Sequence, residues 1–270
     1  MPRVSVIMGV YNIGCVSVFD QAMQSILNQS YHDLEFIICN DGSVDNTDII
    51  LKKYAQMDAR VQVIHNEKNC GLAAALNRCL DLATGDFIAR QDADDISSLN
   101  RLKMQVEFLS AHLDIGFVGT NVRLYDETGV WGRRVLPEYP EKHDFLFTTP
   151  FVHGTMMFRK NILRTVDGYR IAKETRRAED YDLQMRLYAK GYCGANIQEF
   201  LYDFCEDKQT ARRRKYRYRI DEVKIRWKGF QMLGLLPAGL PYVIKPMIVG
   251  LIPSQILLRM KDGHTIQRNK

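Results

Sequence analysis

Short apolar runs alternate with segments of helical periodicity through the first 90 residues, and this alternation constrains the fold more than any other feature of the chain. The runs predict strands at Val4–Val10, Leu34–Cys39, Val61–Ile64 and Asp86–Ala89, and the segments between them predict helices at Val16–Leu27, Thr47–Tyr54 and Gly71–Leu82, with Thr47 as a helix cap. Continuous apolar runs are typical of strands that are buried on both faces of a parallel sheet. The sequence therefore predicts an α/β fold of Rossmann-like type, with a mostly parallel central sheet flanked by helices.

The rhythm changes after Asp95. A predicted helix at Leu99–Leu109 precedes an extended stretch at Gly116–Tyr125 and a turn region at Gly129–Gly132, which indicates antiparallel additions to the sheet. Further along the chain, we predict a strand at Phe151–Phe158, a short helix at Asn161–Val166 and a longer helix at Ala178–Ala189.

A shift in composition near residue 206 predicts two parts, a catalytic domain at 1–205 and an extension at 206–270. Six of the eight residues from Arg212 to Arg219 are basic, and Lys245 is the only charged residue between Leu233 and Leu258. Four prolines interrupt that apolar segment, so a straight membrane-spanning helix is disfavoured. The pattern favours short helices at a membrane surface behind a basic anchor; a solvated helix face is the alternative.

Cysteine usage and the amino terminus bear on the cellular compartment. The six cysteines form no CxxC pair, and several lie in apolar runs, which is typical of reduced thiols that pack as small hydrophobic groups. Met1 leads directly into the first apolar run, without a signal-peptide pattern. With a net charge of only +5, the chain is mildly basic. We expect a cytoplasmic protein that is attached peripherally to the inner membrane through its extension.

Polar residues follow three of the predicted strands at the point where each strand ends. They are Tyr11-Asn12, Asp41-Gly42-Ser43 and Asp92-Ala93-Asp94-Asp95. The carboxyl ends of parallel strands meet at one edge of a sheet, where ligands of such folds bind. Two carboxylates in an Asp-x-Asp arrangement can share a hard cation, and a bound diphosphate supplies further oxygen ligands. These residues therefore predict a site for a metal ion and a nucleotide diphosphate.

Seven phrases, in order across roughly residues 4–205, resemble family 2 glycosyltransferases of the GT-A fold. They are residues 4–12, Gln29-Ser-Tyr31 before Leu34-Glu35, Asn40-Asp-Gly-Ser43, residues 71–77, Gly85-Asp-Phe-Ile88, Asp92-Ala-Asp-Asp95 and Glu179-Asp180. One phrase alone would be weak, whereas seven in order are specific. With its basic run and apolar tail, the chain is similar to bacterial members that build capsular or extracellular polysaccharide.

The resemblance implies a role for each matching residue. Donor-nucleotide binding falls on Val10, Tyr11, Asn12, Asp41, Gly71 and Asp92; the metal, Mn²⁺ or Mg²⁺, on Asp94 and Asp92; catalysis on Asp180 as general base with Glu179 beside it; and the acceptor on His153, Gly154 and Thr155. Where many members have an Arg-x-His pattern, this chain has Tyr202-Asp-Phe-Cys-Glu-Asp207, so the identity of any third metal ligand stays open.

Each of these residues also has a purely structural interpretation. Tyr11 and His153 are compatible with ordinary strand ends, and Asp41-Gly42-Ser43 with a turn. We expect Asp95 to cap the following helix in part, and Glu179-Asp180 would suit a solvated first helical turn. Convergence of so many polar groups on one cleft favours the functional interpretation.

The resemblance implies an inverting transfer of sugar from a nucleotide-diphosphate donor, expected to be a UDP-sugar, to a saccharide linked to polyprenyl diphosphate at the inner face of the membrane. Two other classes are possible. An aspartate-nucleophile phosphatase would have its nucleophile after the first strand, whereas here the Asp-x-Asp follows the fourth. A nucleic-acid adaptor would leave an acidic cleft unexplained, so we expect no nucleic-acid partner.

Overall fold

A computed structural model describes residues 3–206 and 217–251. The strands are β1 (Val4–Val10), β2 (Leu34–Asn40), β3 (Val61–His65), β4 (Phe87–Arg90), β5 (Ile96–Ser97), β6 (Ile115–Asp126), β7 (Gly129–Arg134), β8 (Met157–Arg159) and β9 (Cys193–Cys205). The α-helices are α1 (Val16–Leu27), α2 (Thr47–Met57), α3 (Leu72–Leu82), α4 (Arg101–Ala111), α5 (Lys160–Arg164), α6 (Glu179–Ala189), α7 (Arg217–Leu233) and α8 (Leu240–Leu251). Two 3₁₀ turns lie at Lys142–Leu146 and His153–Thr155.

The described strands form one sheet in the order β3-β2-β1-β4-β8-β6-β9-β5, with β7 paired to β6. The four strands from the first 90 residues are parallel. Beyond β4 the sheet is mixed, because β8 runs antiparallel to β4 and β6, whereas β6 and β9 are parallel. The predicted α/β class, its parallel first half and its antiparallel additions are thus confirmed.

Side chains of the parallel strands alternate between two hydrophobic layers, as the period of two in a strand requires. In β1, Ile7 packs with α3, α5 and α6, whereas Val6 and Met8 pack with α1, α2 and α4. Both faces of the sheet are therefore covered by helices, and the ends of the parallel strands are left open to a ligand.

Three local predictions are wrong. Phe151–Phe158 is a strand only from Met157 onward, because the hydroxyl and the amide of Thr155 both donate to the carbonyl of Val152 and tighten the chain into a 3₁₀ turn. The turn expected at Gly129–Gly132 lies instead at residues 127–128, where the Asp126 carboxylate accepts the amide of Thr128. Strand β7 already begins at Gly129. Thr47 does not cap α2; its hydroxyl accepts the N–H of Ile13 instead.

The described part of the extension packs on the catalytic part. Ile225, Phe230 and Leu233 of α7 and Val243 of α8 are buried in the same hydrophobic cluster as Ile7 of β1. The boundary predicted at residue 206 stays a prediction, but a truncation there would open this cluster. Residues 207–216, with much of the basic run, and 252–258 of the apolar tail lie outside the described residues. Among the helices that are described, none has the length and apolar character needed to cross a membrane.

Candidate active site

Hydrogen bonds tie the loop after β1 to the loop after β2. The amide of Asn12 donates to the Ser43 hydroxyl at 2.9 Å, and the Asn12 side-chain oxygen accepts the amide of Val44 at 3.0 Å. Asn12 has a φ of 52°, a left-handed conformation that asparagine tolerates better than most residues. The two loops thus form one rigid edge, from which Tyr11 projects with 49% of its side chain exposed.

A cavity of about 410 Å³ opens at this edge, within the usual size range of ligand pockets. Its lining includes five residues predicted for donor and metal binding: Val10, Tyr11, Asn12, Asp92 and Asp94. These residues come from the ends of β1 and β4, which are neighbours in the sheet. The strand order therefore explains why residues 80 positions apart in sequence share one pocket. We call this space the donor cavity.

Asp41 and Gly71 form a second predicted pair. The buried Asp41 carboxylate accepts the amides of Cys70 and Gly71 at 2.9 and 2.7 Å and the Asn66 side-chain amide at 2.6 Å. Gly71 has a φ of 92°, which favours glycine, and precedes α3. Asp41 thus fixes the turn into α3, and neither residue lines the donor cavity itself.

Three carboxylates crowd the loop after β4. Burial and the neighbouring Asp92 raise the pKa of Asp94 to about 6. Burial, together with Asp92 and Asp94, raises the pKa of Asp95 well above its ordinary value. The expected helix-capping role of Asp95 is wrong, because its carboxylate accepts the amide of Cys205 at 2.7 Å and α4 begins only at Arg101.

Asp92 and Asp94 suit a divalent cation that takes its remaining ligands from a bound nucleotide. Burial and the nearby Asp92 raise the pKa of Asp94, and a cation bound between the two carboxylates would relieve their repulsion. Within residues 3–206 and 217–251, no group of three or more His, Cys, Asp or Glu side chains is arranged around a metal position. Two carboxylates and the oxygens of a bound diphosphate can together supply the oxygen ligands of such a metal.

Arg90, at the end of β4, was not predicted as a site residue. Its guanidinium is fully buried and pairs with the Asp92 carboxylate. A second buried cation, Arg101, donates to the Gln91 side chain and to the Arg90 carbonyl and lies 5.0 Å from the Tyr202 ring. The sequence signal was present: a charged residue ends an apolar run and directly precedes the acidic phrase.

The predicted acceptor residues occupy the 3₁₀ turn before β8. His153 contacts the Tyr169 hydroxyl at 2.8 Å, and burial and the nearby Arg90 lower its pKa well below the ordinary value, so the imidazole is neutral. Gly154 lies against Tyr202 and the Asp92 carboxylate. The Thr155 side chain is fully buried and donates to the carbonyl of Val152. Gly154 therefore provides this turn's contact with the donor cavity, through Asp92.

Glu179 and Asp180 begin α6 but line different cavities. Glu179 lines a cavity of about 550 Å³ together with Gly71 and Leu72, and Leu72 also lines the donor cavity. Asp180 lines a smaller cavity of about 170 Å³. Burial and then Asp180 raise the pKa of Glu179 to about 7. The cavity of Glu179 therefore adjoins the donor cavity through Leu72, whereas the cavity of Asp180 shares no lining residue with the donor cavity.

The order of the parallel strands and the acidic loop after β4 agree with a comparison of sequences. Residues 5–167 match the sequence profile of "Glycosyl transferase family 2". The chain belongs to this family. Family membership makes the protein a glycosyltransferase and decides against both the phosphatase and the nucleic-acid adaptor.

Two relatives and one solved structure are similar to this chain over most of its length. "Putative glycosyltransferase EpsE" of Bacillus subtilis (strain 168) is 44% identical over 259 residues, covering 96% of this chain and 92% of the relative. The Escherichia coli "UDP-Gal:alpha-D-GlcNAc-diphosphoundecaprenol beta-1,3-galactosyltransferase" is 29% identical, with coverage of 85% and 84%. The crystallised mannosyltransferase PcManGT of Pyrobaculum calidifontis, in complex with GDP-Man and Mn²⁺, superposes with a TM-score of 0.64 at 20% identity, covering 98% of this chain and 81% of that one. The GT-A fold of this family 2 member is thereby confirmed.

Proposed function

We propose that this glycosyltransferase is an inverting, divalent-metal-dependent enzyme that moves sugar from a UDP-sugar to a lipid-linked saccharide in the synthesis of cell-surface polysaccharide. One observation carries the proposal: the donor cavity brings Tyr11 and Asn12 together with Asp92 and Asp94. The galactosyltransferase relative, whose name specifies a UDP-sugar donor and a diphosphoundecaprenol-linked acceptor, supports the substrate classes.

Asp94 and Asp92 would hold Mn²⁺ or Mg²⁺ at the floor of the donor cavity. The metal supplies positive charge that stabilises the diphosphate as a leaving group. Arg90 pairs with Asp92 and holds that carboxylate in place from the buried side. Mn²⁺ in the complex of the structural neighbour PcManGT supports this cofactor class.

Tyr11 and Asp41 would recognise the nucleobase. Tyr11 presents an exposed ring at the rim of the donor cavity, where a base can stack. A carboxylate has about four lone-pair sites, and three N–H groups already donate to Asp41. The remaining capacity suits one N–H donor of a uracil ring.

Asp180 would act as general base and remove a proton from the acceptor hydroxyl as that oxygen attacks the anomeric carbon. Attack from the face opposite the diphosphate inverts the anomer in a single displacement. Glu179 stands beside it, closer to the donor cavity, and its raised pKa makes it the alternative base. His153, Gly154 and the cavities at the start of α6 would receive the acceptor.

The extension would attach the enzyme to the inner face of the membrane. Leu240, Ile244, Met247 and Ile248 are at least one-third exposed and follow helical spacing along α8. An apolar helix face of this kind, together with basic residues, binds anionic membrane surfaces.

A donor screen tests the proposed function. UDP-sugars and GDP-sugars are incubated with an acceptor mixture in Mn²⁺, Mg²⁺ or excess EDTA, and the released nucleotide is measured. We expect metal-dependent release of UDP and a product with inverted anomeric configuration by NMR. Full activity in EDTA, or retention of configuration, would overturn the proposal.

A further inference from the structure

Helix α7 forms one wall of the cavity that holds Asp180. The cavity is also lined by Arg176 and Arg177, from the loop before α6, and by Tyr218, Arg219 and Glu222 of α7. At about 170 Å³ it is smaller than a typical pocket for a whole ligand, so it suits one chemical group of a larger substrate. We call it the base cavity.

Besides Asp180, two carboxylates line the base cavity, and both are paired with neighbouring cations. Glu174 accepts from Arg170 at 3.2 Å and from Lys228 at 3.1 Å. Glu222 accepts from Arg226 at 3.1 Å and lies 3.5 Å from Arg219. Paired charges of this kind leave little negative potential for a ligand to meet.

Three guanidinium groups, in contrast, remain available. Arg176 is exposed and makes no hydrogen bond or ion pair with any other residue in the described ranges 3–206 and 217–251. Arg177 lies over the Tyr218 ring at 5.0 Å, with its backbone at a φ of 67°. Among the described residues, Arg219 pairs only with Glu222, at a long distance of 3.5 Å. Their planar N–H groups match the geometry of phosphate oxygens.

We propose that Arg176, Arg177 and Arg219 bind the diphosphate through which the acceptor sugar is joined to its lipid. This inference rests on the proposed function, because it uses Asp180 as the base at the reacting hydroxyl. In a short acceptor the hydroxyl and the diphosphate are separated by one sugar ring, and Asp180 and these arginines share one small cavity. Helix α7 also leads into α8, whose exposed apolar face is the membrane contact in the proposed function.

The diphosphate of the nucleotide-sugar donor is the other ligand that these arginines could bind. The donor cavity contains Asp92 and Asp94, and it shares no lining residue with the base cavity. The two diphosphates are therefore expected to bind in separate places, one with metal and one without.

Isothermal titration calorimetry distinguishes binding of the acceptor diphosphate from binding of the donor diphosphate. An alkyl diphosphate is titrated in EDTA, which removes the metal that a donor diphosphate needs, and UDP is titrated separately in Mn²⁺. The variants are Arg176→Ala and Arg219→Ala, with Lys224→Ala as matched control, because Lys224 is an exposed cation of α7 that lines none of the cavities described above. Arg177 is left unchanged because of its unusual backbone conformation.

We expect each arginine variant to bind the alkyl diphosphate about tenfold or more weakly, with Lys224→Ala and all UDP affinities within about twofold of wild type. Unchanged binding of the alkyl diphosphate in both arginine variants would overturn the inference. So would weakened UDP binding with unchanged alkyl diphosphate binding, which would assign the arginines to the donor. Failure of the wild type to bind UDP with Mn²⁺ would count against the proposed function but not against this inference, because the alkyl diphosphate is titrated without metal or UDP.

Discussion

Gly154→Ala tests how closely the acceptor-side turn packs on the metal carboxylate. A Cβ atom at this position would lie 2.8 Å from Cζ of Tyr202 and 3.0 Å from Oδ2 of Asp92, and closer still to the Tyr202 hydroxyl. Tyr202 is fully buried, and its hydroxyl accepts the amide of Asp92 at 3.2 Å. The ring has no room to move away, so either the turn or Asp92 must shift.

Overpacking of this kind costs roughly 1–3 kcal/mol in free energy of unfolding. We expect a loss in that range by urea denaturation, and an affinity for UDP with Mn²⁺ about tenfold lower by titration, because a shifted Asp92 holds the metal poorly. Gly132→Ala is the control: its added carbon would meet only the side chain of Leu124, at 3.3 Å from the flexible Cδ1 and at ordinary contact distances of 3.6 and 3.8 Å from Cβ and Cγ. We expect a change within about 0.5 kcal/mol in free energy of unfolding. Wild-type stability together with wild-type affinity in Gly154→Ala would refute the close packing inferred here.

Four further outcomes follow from the proposed site and extension. Asp94→Ala, like excess EDTA, should abolish metal-dependent UDP binding and turnover; retained activity would remove the metal assignment. Asp180→Asn should lower kcat by on the order of 10²-fold or more with donor affinity within a few-fold of wild type, and near-normal transfer would direct attention to Glu179. The pKa of Glu179 is raised to about 7, so the carboxylate pair gains a proton as the pH falls through 7. Glu179→Gln removes this titration and should move the acidic limb of the kcat/KM profile to lower pH. Loss of activity at every pH would instead identify Glu179 as the base. Ile248→Asp on α8 should reduce sedimentation with anionic vesicles, whereas Ile49→Asp, an equally exposed change on α2, should not; equal loss, or none, would locate the membrane contact elsewhere.

The parallel half of the fold was predictable from sequence because its strands are buried on both faces. Such strands consist of short apolar runs, and the helices between them carry a clear 3.6-residue period. The order of the strands in the sheet then places Tyr11 and Asp92 at the same edge, and both residues line the donor cavity.

Individual hydrogen bonds and contacts between distant segments decided the features that were missed. The stretch at Phe151–Phe158 is as apolar as a strand, but a local bond of Thr155 turns its centre, His153–Thr155, into 3₁₀ conformation. Asp95 has the composition of a helix cap, yet the amide it accepts belongs to Cys205, 110 residues away. Likewise, no pattern along α6 could indicate that Glu179 and Asp180 line different cavities, since that depends on α3 on one side and α7 on the other.

The burial of α7 in the main core has a consequence for biosynthesis. Ile225 and Phe230 lie in the same cluster as Ile7 and Ile37, which are made at the opposite end of the chain. A polypeptide leaving the ribosome would therefore complete its sheet before α7 and α8 were available to cover one hydrophobic face. Incomplete chains of this kind expose apolar surface and tend to aggregate. Premature termination before residue 217 should thus yield material for chaperones and proteases rather than a smaller working enzyme, and the wall of the base cavity would be among the last parts of the molecule to form.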